Sequence, residues 1–285
     1  MFLSQLLNGI VTGSGYGIVA VGLTYTLGLA RIFNFAYGTF YVFAAYIAIR
    51  LSPVSVGGYL LAALIAVVAV AAGGIVFAIA VVFPSIRRSD LAVMIATLGV
   101  DIALTNVGQK IFGANTEALN SPLTGDIIRL GGQKISAQGI LTIVAAIVLT
   151  GVLSWFILKT RRGTQLRAAA EQPELAAASG MNISANYILA VVIGIVISAL
   201  GAVLYAPLTV VTSSSGNDIL LISFAIIALA GVGQLWGALA VGFGVGIFES
   251  LFVGYVNSTY PDVVVYLLLI LVLLVRPRGL FHGHA

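Results

Sequence analysis

The 285-residue chain has no cysteine, two histidines and little charge, with 13 lysines and arginines against 9 aspartates and glutamates. Without cysteine there are no disulfides, thiolate metal sites or thiol nucleophiles, and the redox compartment leaves no trace. Both histidines, His282 and His284, fall in a Gly-His-Gly-His-Ala tail and read as a chain end rather than a metal site. The sequence carries no phosphate-binding Gly-x-x-x-x-Gly-Lys-Ser/Thr, no His-Glu-x-x-His and no Gly-x-Ser-x-Gly. No catalytic constellation remains, so the expectation is a non-enzymatic chain without metal or cofactor. Charged residues make up 8% of it, against roughly a quarter in soluble domains, too few to coat a soluble surface. The net charge of +4 is spread along the chain, which suits loop charges better than a nucleic-acid face.

What is present is apolar: 60% of residues are hydrophobic. A membrane crossing needs about 20 mostly apolar residues. Runs of this kind are Leu6–Leu29, Phe33–Ile49, Tyr59–Phe83, Leu91–Phe112, Gly139–Leu158, Asn186–Ala206, Ile219–Ala230, Leu235–Val256 and Tyr260–Val275. The first has no basic stretch before it and exceeds signal-peptide length, so it reads as a membrane span. Ile219–Ala230 is too short for a straight crossing and suits half of a broken helix or a re-entrant segment, tolerated only where buried in protein. The expected fold is an all-α polytopic membrane protein, a single bundle over residues 1–285 with about 8–10 transmembrane helices, some short or broken.

Lysine and arginine set the orientation, because they accumulate on the cytoplasmic side. With Lys159–Arg167 placed inside, alternation puts Arg31, Arg87, Arg88, Arg276 and Arg278 inside as well. Arg50, Lys110, Arg129 and Lys134 then lie outside, as does the N-terminus, while the C-terminus is cytoplasmic. Two loops are long: an external one over 113–138 and an internal, charge-dense one over 159–185.

Carboxylates at membrane depth cost at least ~2.5 kcal/mol on insertion scales and should face the bundle interior or a cavity. Asp101 and Glu249 are such residues, readable as pathway or proton-coupling groups or as interhelical hydrogen-bond partners. Asn34-Phe35-Ala36-Tyr37-Gly38-Thr39 interrupts an apolar stretch and fits either a turn or a gate. The glycines Gly231, Gly233, Gly237, Gly242, Gly244 and Gly246 indicate either close helix packing through small residues or a bendable helix beside a pathway.

The internal loop is the most distinctive segment. Thr164 suits the N-cap of an Ala-rich helix. Pro173 suits the first turn of a second helix, and Gly180 the position after its end. The pair reads either as a membrane-surface anchor or as a docking element for a cytoplasmic partner.

Arg167-Ala168-Ala169-Ala170-Glu171 through Ala177, with Gly180-Met181-Asn182, resembles the cytoplasmic loop of LivH-type permeases of branched-chain amino acid ABC importers. Asn34-Phe35-Ala36-Tyr37-Gly38 with Ala44-Ala45-Tyr46 is similar to the N-terminal signature of that family, which commonly has His at the Tyr37 position and often Gly at Ala44. Gly201-Ala202-Val203-Leu204-Tyr205, Gly231-Val232-Gly233, Trp236-Gly237-Ala238, Glu249 and the ending Arg276-Pro277-Arg278-Gly279-Leu280-Phe281 resemble later blocks. The resemblance implies a permease subunit of the bacterial inner membrane, embedded in lipid and working by alternating access. Its implied partners are a second, LivM-like permease subunit or a second copy of itself, two cytoplasmic ABC ATPases and an external solute-binding protein. The implied cargo is a branched-chain or other small amino acid, or a related solute such as urea, an amide or an aromatic acid. Asn34, Tyr37, Gly38, Asp101 and Glu249 are the expected pathway residues. Gly163, Leu166, Arg167, Ala169, Glu171, Glu174, Ala177 and Gly180 are the expected ATPase-docking residues. The competing class is an ion-coupled secondary transporter or channel using Asp101 or Glu249.

Overall fold

The structure is a computed structural model and describes residues 2–51, 55–113, 115–130 and 133–256, with 265–267, 270 and 274 beyond them. The run Tyr260–Val275 lies outside the described residues apart from those last positions, and so do Arg276, Arg278, His282 and His284.

Among the described residues, six helices are long and apolar enough to cross a membrane: Phe2–Ala30, Val56–Ile86, Asp90–Phe112, Ala137–Lys159, Ile183–Leu208 and Leu235–Tyr255. In chain order the elements are α1 (Phe2–Ala30), α2 (Tyr37–Arg50), α3 (Val56–Phe77), α4 (Phe83–Ile86), α5 (Asp90–Phe112), α6 (Pro122–Gly125), a hairpin of β1 (Ile127–Leu130) and β2 (Gln133–Ser136), then α7 (Ala137–Lys159), α8 (Arg161–Glu171), α9 (Pro173–Ala178), α10 (Ile183–Tyr205), α11 (Ser215–Ala230) and α12 (Leu235–Tyr255). Ser55, Ser89, Ser136 and Asn182 cap α3, α5, α7 and α10, each accepting from a backbone N–H three residues on. These caps satisfy donors that a helix leaves open at its start.

Between α3 and α4 the backbone widens into a π-helical turn over Ala78–Val82. The cause sits just beyond: Pro84 brings no N–H, and its ring clashes with the carbonyl four residues back, so the helix accommodates it by widening.

One reading from sequence needs correction. The run Phe33–Ile49 is not one helix, because residues 31–36 are non-helical and α2 begins only at Tyr37. Hydropathy cannot see this, since the non-helical residues are mostly apolar. The 113–138 loop contains a short hairpin, in which β1 and β2 pair antiparallel from Ile127↔Ser136 to Leu130↔Gln133. β-branched Ile127, Ile128 and Ile135 favour that extended pairing.

The long helices pack through glycine. A Cβ on Gly242 would lie 2.8 Å from the Gly17 Cα, and one on Gly13 would lie 2.6 Å from the Gly242 carbonyl oxygen. Thus α1 and α12 touch backbone to backbone. Of the two readings of this glycine-rich region, close packing is the one the structure displays, since lipid offers no hydrophobic drive and small residues gain contact instead.

Candidate functional site

The chain enters α2 deep within the bundle. The Tyr37 hydroxyl donates to the Val19 carbonyl at 3.1 Å, and Ser198 Oγ donates to the Tyr37 carbonyl at 3.4 Å. Val19 and Ser198 lie well inside α1 and α10, so α2 starts far from either end of these helices. The entry is built from polar side chains: Asn34 Oδ1 accepts from the Ala36 N–H at 3.1 Å, and Thr97 Oγ1 accepts from the Phe35 N–H at 3.2 Å. Buried Asp101 accepts the Thr39 hydroxyl. The bonds Phe35–Thr97, Thr39–Asp101 and Arg50–Phe112 all join residues 62 apart, so this stretch of chain runs parallel to α5 in constant register.

A second short helix meets the first. α11 has 16 residues, too few for a straight crossing, and follows the irregular segment after Leu208. A Cβ on Gly216 would stand 2.6 Å from the Gly38 carbonyl oxygen, and one on Gly38 would press into the Gly216 carbonyl. The first turns of two half-length helices therefore abut. Irregular backbone at this depth is viable because protein surrounds it and supplies its hydrogen bonds. Asn34, Tyr37, Gly38 and Asp101 are thus brought together around the start of α2.

Glu249 lies apart from them, on a cavity of about 510 Å³. Tyr16 donates its hydroxyl to Glu249 Oε1 at 3.4 Å and meets the Tyr205 ring edge-on, with centroids 6.0 Å apart. Tyr41, one turn after Tyr37, completes the aromatic wall, and Asp218 adds a second carboxylate. The extended segment Thr209–Thr212 closes one side, and none of the described lining residues is lysine, arginine or histidine. The cavity sits at the end of the bundle that holds the start of α1 and the end of α10. That end also carries the 113–138 loop, where Arg50 pairs with Glu117 at 2.9 Å and the Glu117 backbone bridges to Val211.

Sequence reasoning missed Tyr16, Tyr41, Tyr205 and Asp218. Aromatic residues in apolar helices read as core, and Asp218 stands at the polar start of a run. The signal that points to them is the pair of helix interruptions, since irregular backbone inside a membrane bundle commonly borders a cavity.

The 159–185 loop lies at the opposite end, between the end of α7 and the start of α10, and folds into α8 and α9. The cap of α8 is Thr160 rather than Thr164: its hydroxyl accepts from the Gly163 N–H at 3.0 Å. Pro173 opens α9, and Gly180 takes φ +79° just past its end, with the Gly180 N–H on Ala177 O at 2.9 Å and the Met181 N–H on Ala176 O at 3.1 Å. The alanine surface is only partly available, because Leu166, Ala169, Ala170 and Ala176 are buried within the chain itself. Gly163 is buried too, against the Ile157 backbone, while Arg167 is half-buried. Glu171, Glu174, Leu175, Ala177 and Gly180 face outward. A groove of about 340 Å³ runs between Ala168, Glu171, Leu175 and Met181.

A family described as "Branched-chain amino acid transport system / permease component" matches residues 5–273. The chain is 31% identical to the high-affinity branched-chain amino acid transport system permease protein LivH of Escherichia coli K12, over 98% of this chain and 95% of that protein. It is 30% identical to the permease protein BraD of Pseudomonas aeruginosa, with the same coverage. It is 27% identical to a probable branched-chain amino acid transport permease protein LivH of Methanocaldococcus jannaschii, over 92% of this chain and 87% of the relative.

Proposed function

This chain belongs to the branched-chain amino acid transport system permease family, and from that premise we propose that it is the permease subunit of an ATP-driven importer. The cavity beside Glu249 receives a small amino acid from outside, and the α8–α9 pair receives an ATPase at the cytoplasmic end. The observation that carries the assignment is the cavity wall, with two carboxylates, three tyrosines and no basic residue among its described lining. Glu249 and Asp218 suit the ammonium end of an amino acid, whereas an aromatic acid lacking an amino group would meet only like charge. This wall therefore favours amino acids over the aromatic acids and uncharged amides that were the alternative cargoes.

The first turns of α2 and α11 lie next to the cavity, since Tyr41 and Asp218 on its wall follow Gly38 and Gly216 within a turn. Asn34, Tyr37, Gly38 and Asp101 support this junction, and alternating access re-aims the half-helices. The charge bias places the N-terminus and the 113–138 loop outside and the C-terminus inside. Partners are a second permease subunit, LivM-like or a second copy of this chain, two ABC ATPases and a solute-binding protein that docks at the cavity end. The membrane is the bacterial inner membrane.

The test is uptake of labelled leucine by the assembled transporter in proteoliposomes. Glu249→Gln, which keeps the shape and removes the charge, raises KM about tenfold if it loses one charge-assisted contact of the usual strength. An unchanged KM and unchanged maximal rate would remove Glu249 from the pathway and leave it a packing residue.

A further inference from the structure

The end of α10 lacks backbone donors, and side chains from two other helices replace them. In a regular helix the Val203 carbonyl accepts from residue 207, which here is Pro207 and has no N–H. The following turn, Ala206–Leu208, is a 3-10 turn, whose bonds run to the third residue back. That turn draws the Leu208 N–H away from the Leu204 carbonyl. Both orphaned carbonyls are met from the side. The Tyr59 hydroxyl of α3 donates to Val203 O at 2.7 Å. Gln138 at the start of α7 donates through Nε2 to Leu204 O at 2.7 Å and to the Tyr59 oxygen at 2.9 Å. Its Oε1 accepts the Ser121 hydroxyl at 3.0 Å. Thr142 Oγ1 lies 3.1 Å from the same Leu204 carbonyl. Tyr59, Gln138 and Thr142 are all buried.

Every polar group in this cluster has a partner, and a fully satisfied buried network rigidifies what it holds. What it holds is the edge of the cavity. Tyr205 follows Leu204 directly and contributes its ring to the wall, and Thr209, Val210 and Val211 continue the wall after the 3-10 turn. We propose that Tyr59 and Gln138, with Thr142 beside them, are positioning residues for transport. They stand in for the donors that Pro207 and the 3-10 turn withhold, and so fix Tyr205 and the 209–211 segment as the cavity wall. None of them lines the cavity, so they act through the backbone they hold. This inference rests on the reading of the cavity as the solute site.

The test is a double-mutant cycle on the assembled transporter. Tyr59→Phe and Gln138→Leu each raise the KM for leucine uptake about tenfold, the size of one buried hydrogen bond, with the amount of assembled complex unchanged. Pro207→Ala returns an N–H next to Val203 O. In that background Tyr59→Phe costs only about twofold or less, because the carbonyl keeps a donor. A spin label on Val210→Cys, the sole cysteine in such a chain, becomes more mobile in Tyr59→Phe and returns toward its original mobility when Pro207→Ala is added. Equal cost of Tyr59→Phe in both backgrounds overturns the proposal. So does a fall in maximal rate or abundance with KM and label mobility unchanged. Glu249→Gln and Tyr41→Phe, on the wall itself, separate this from the reading beneath it. If they shift KM and the network variants do not, the positioning role fails and the cavity stands. If the wall variants leave KM unchanged, the cavity reading fails, and label mobility alone decides whether the network holds the segment.

Discussion

Gly38 and Gly216 touch through their main chains: a methyl on Gly216 would stand 2.6 Å from the Gly38 carbonyl oxygen, and one on Gly38 would run into the Gly216 carbonyl. The contact is reciprocal and joins the first turns of α2 and α11, both too short to cross the bundle alone. Both helices present their N-terminal ends there, where unpaired N–H groups and the positive end of the helix dipole lie. Transporter folds commonly place their working parts at such discontinuous helices.

Gly38→Ala and Gly216→Ala should therefore be severe, because the clash is with backbone and no side chain can swing away. Overpacking of this kind costs about 1–3 kcal/mol or more. The expected result is a clear loss of thermal stability in the purified chain. Gly244→Ala, at a position where a Cβ would meet nothing within 4 Å, should be neutral or slightly stabilising, since alanine is the better helix former.

Asp101 is held by the Thr39 hydroxyl, so its expected role is to anchor the start of α2 on α5. Asp101→Asn keeps an acceptor for that hydroxyl and should retain uptake within about threefold of the parent. Asp101→Leu leaves the buried Thr39 hydroxyl without this acceptor and should lower assembly and uptake together. Uptake assays paired with quantitation of membrane-inserted chain distinguish the two.

These features were unequally legible. The apolar runs located the long helices to within a few residues, because a membrane span is a statement about composition. The non-helical entry over residues 31–36 was not legible, since Phe33, Phe35 and Ala36 look like helix interior. Only Asn34 and Gly38 hinted at it, and both fitted a plain turn. Glu249 stood out as a carboxylate in an apolar run, yet Tyr16, Tyr41 and Tyr205 became visible only once the fold set them around one space. Thr160 and Thr164 are each suited to cap α8 by type, and the choice between them depends on where α7 stops.

The docking role proposed for the 159–185 loop is best probed away from Ala169. That residue is 1% exposed, so Ala169→Glu would bury a charge inside this chain rather than test a partner. Leu175 is 63% exposed and borders the 340 Å³ groove. Leu175→Asp should abolish uptake and ATPase association while leaving the chain inserted and stable, as expected for a contact worth about 2 kcal/mol or more at an interface centre. Cysteines at Glu174 and Ala177 should cross-link to the ATPase. Free reactivity of both in the assembled complex would remove the docking role.

Orientation has its own check. A reporter inserted near Gly125 should register outside, and one placed between Glu171 and Pro173 should register in the cytoplasm. Both on one side would mean that the helices between them cross the membrane an even number of times.

The most direct measurement of the whole account is the energy source of uptake. The chain is assembled with the proposed partners, a second permease subunit, ATPases and a solute-binding protein, in proteoliposomes, and labelled leucine entry is followed with internal ATP present or absent, with and without a protonophore. The account predicts uptake that requires ATP and persists when the proton gradient is collapsed. Uptake that proceeds without ATP and stops with the protonophore would contradict it and assign Asp101 or Glu249 to ion coupling.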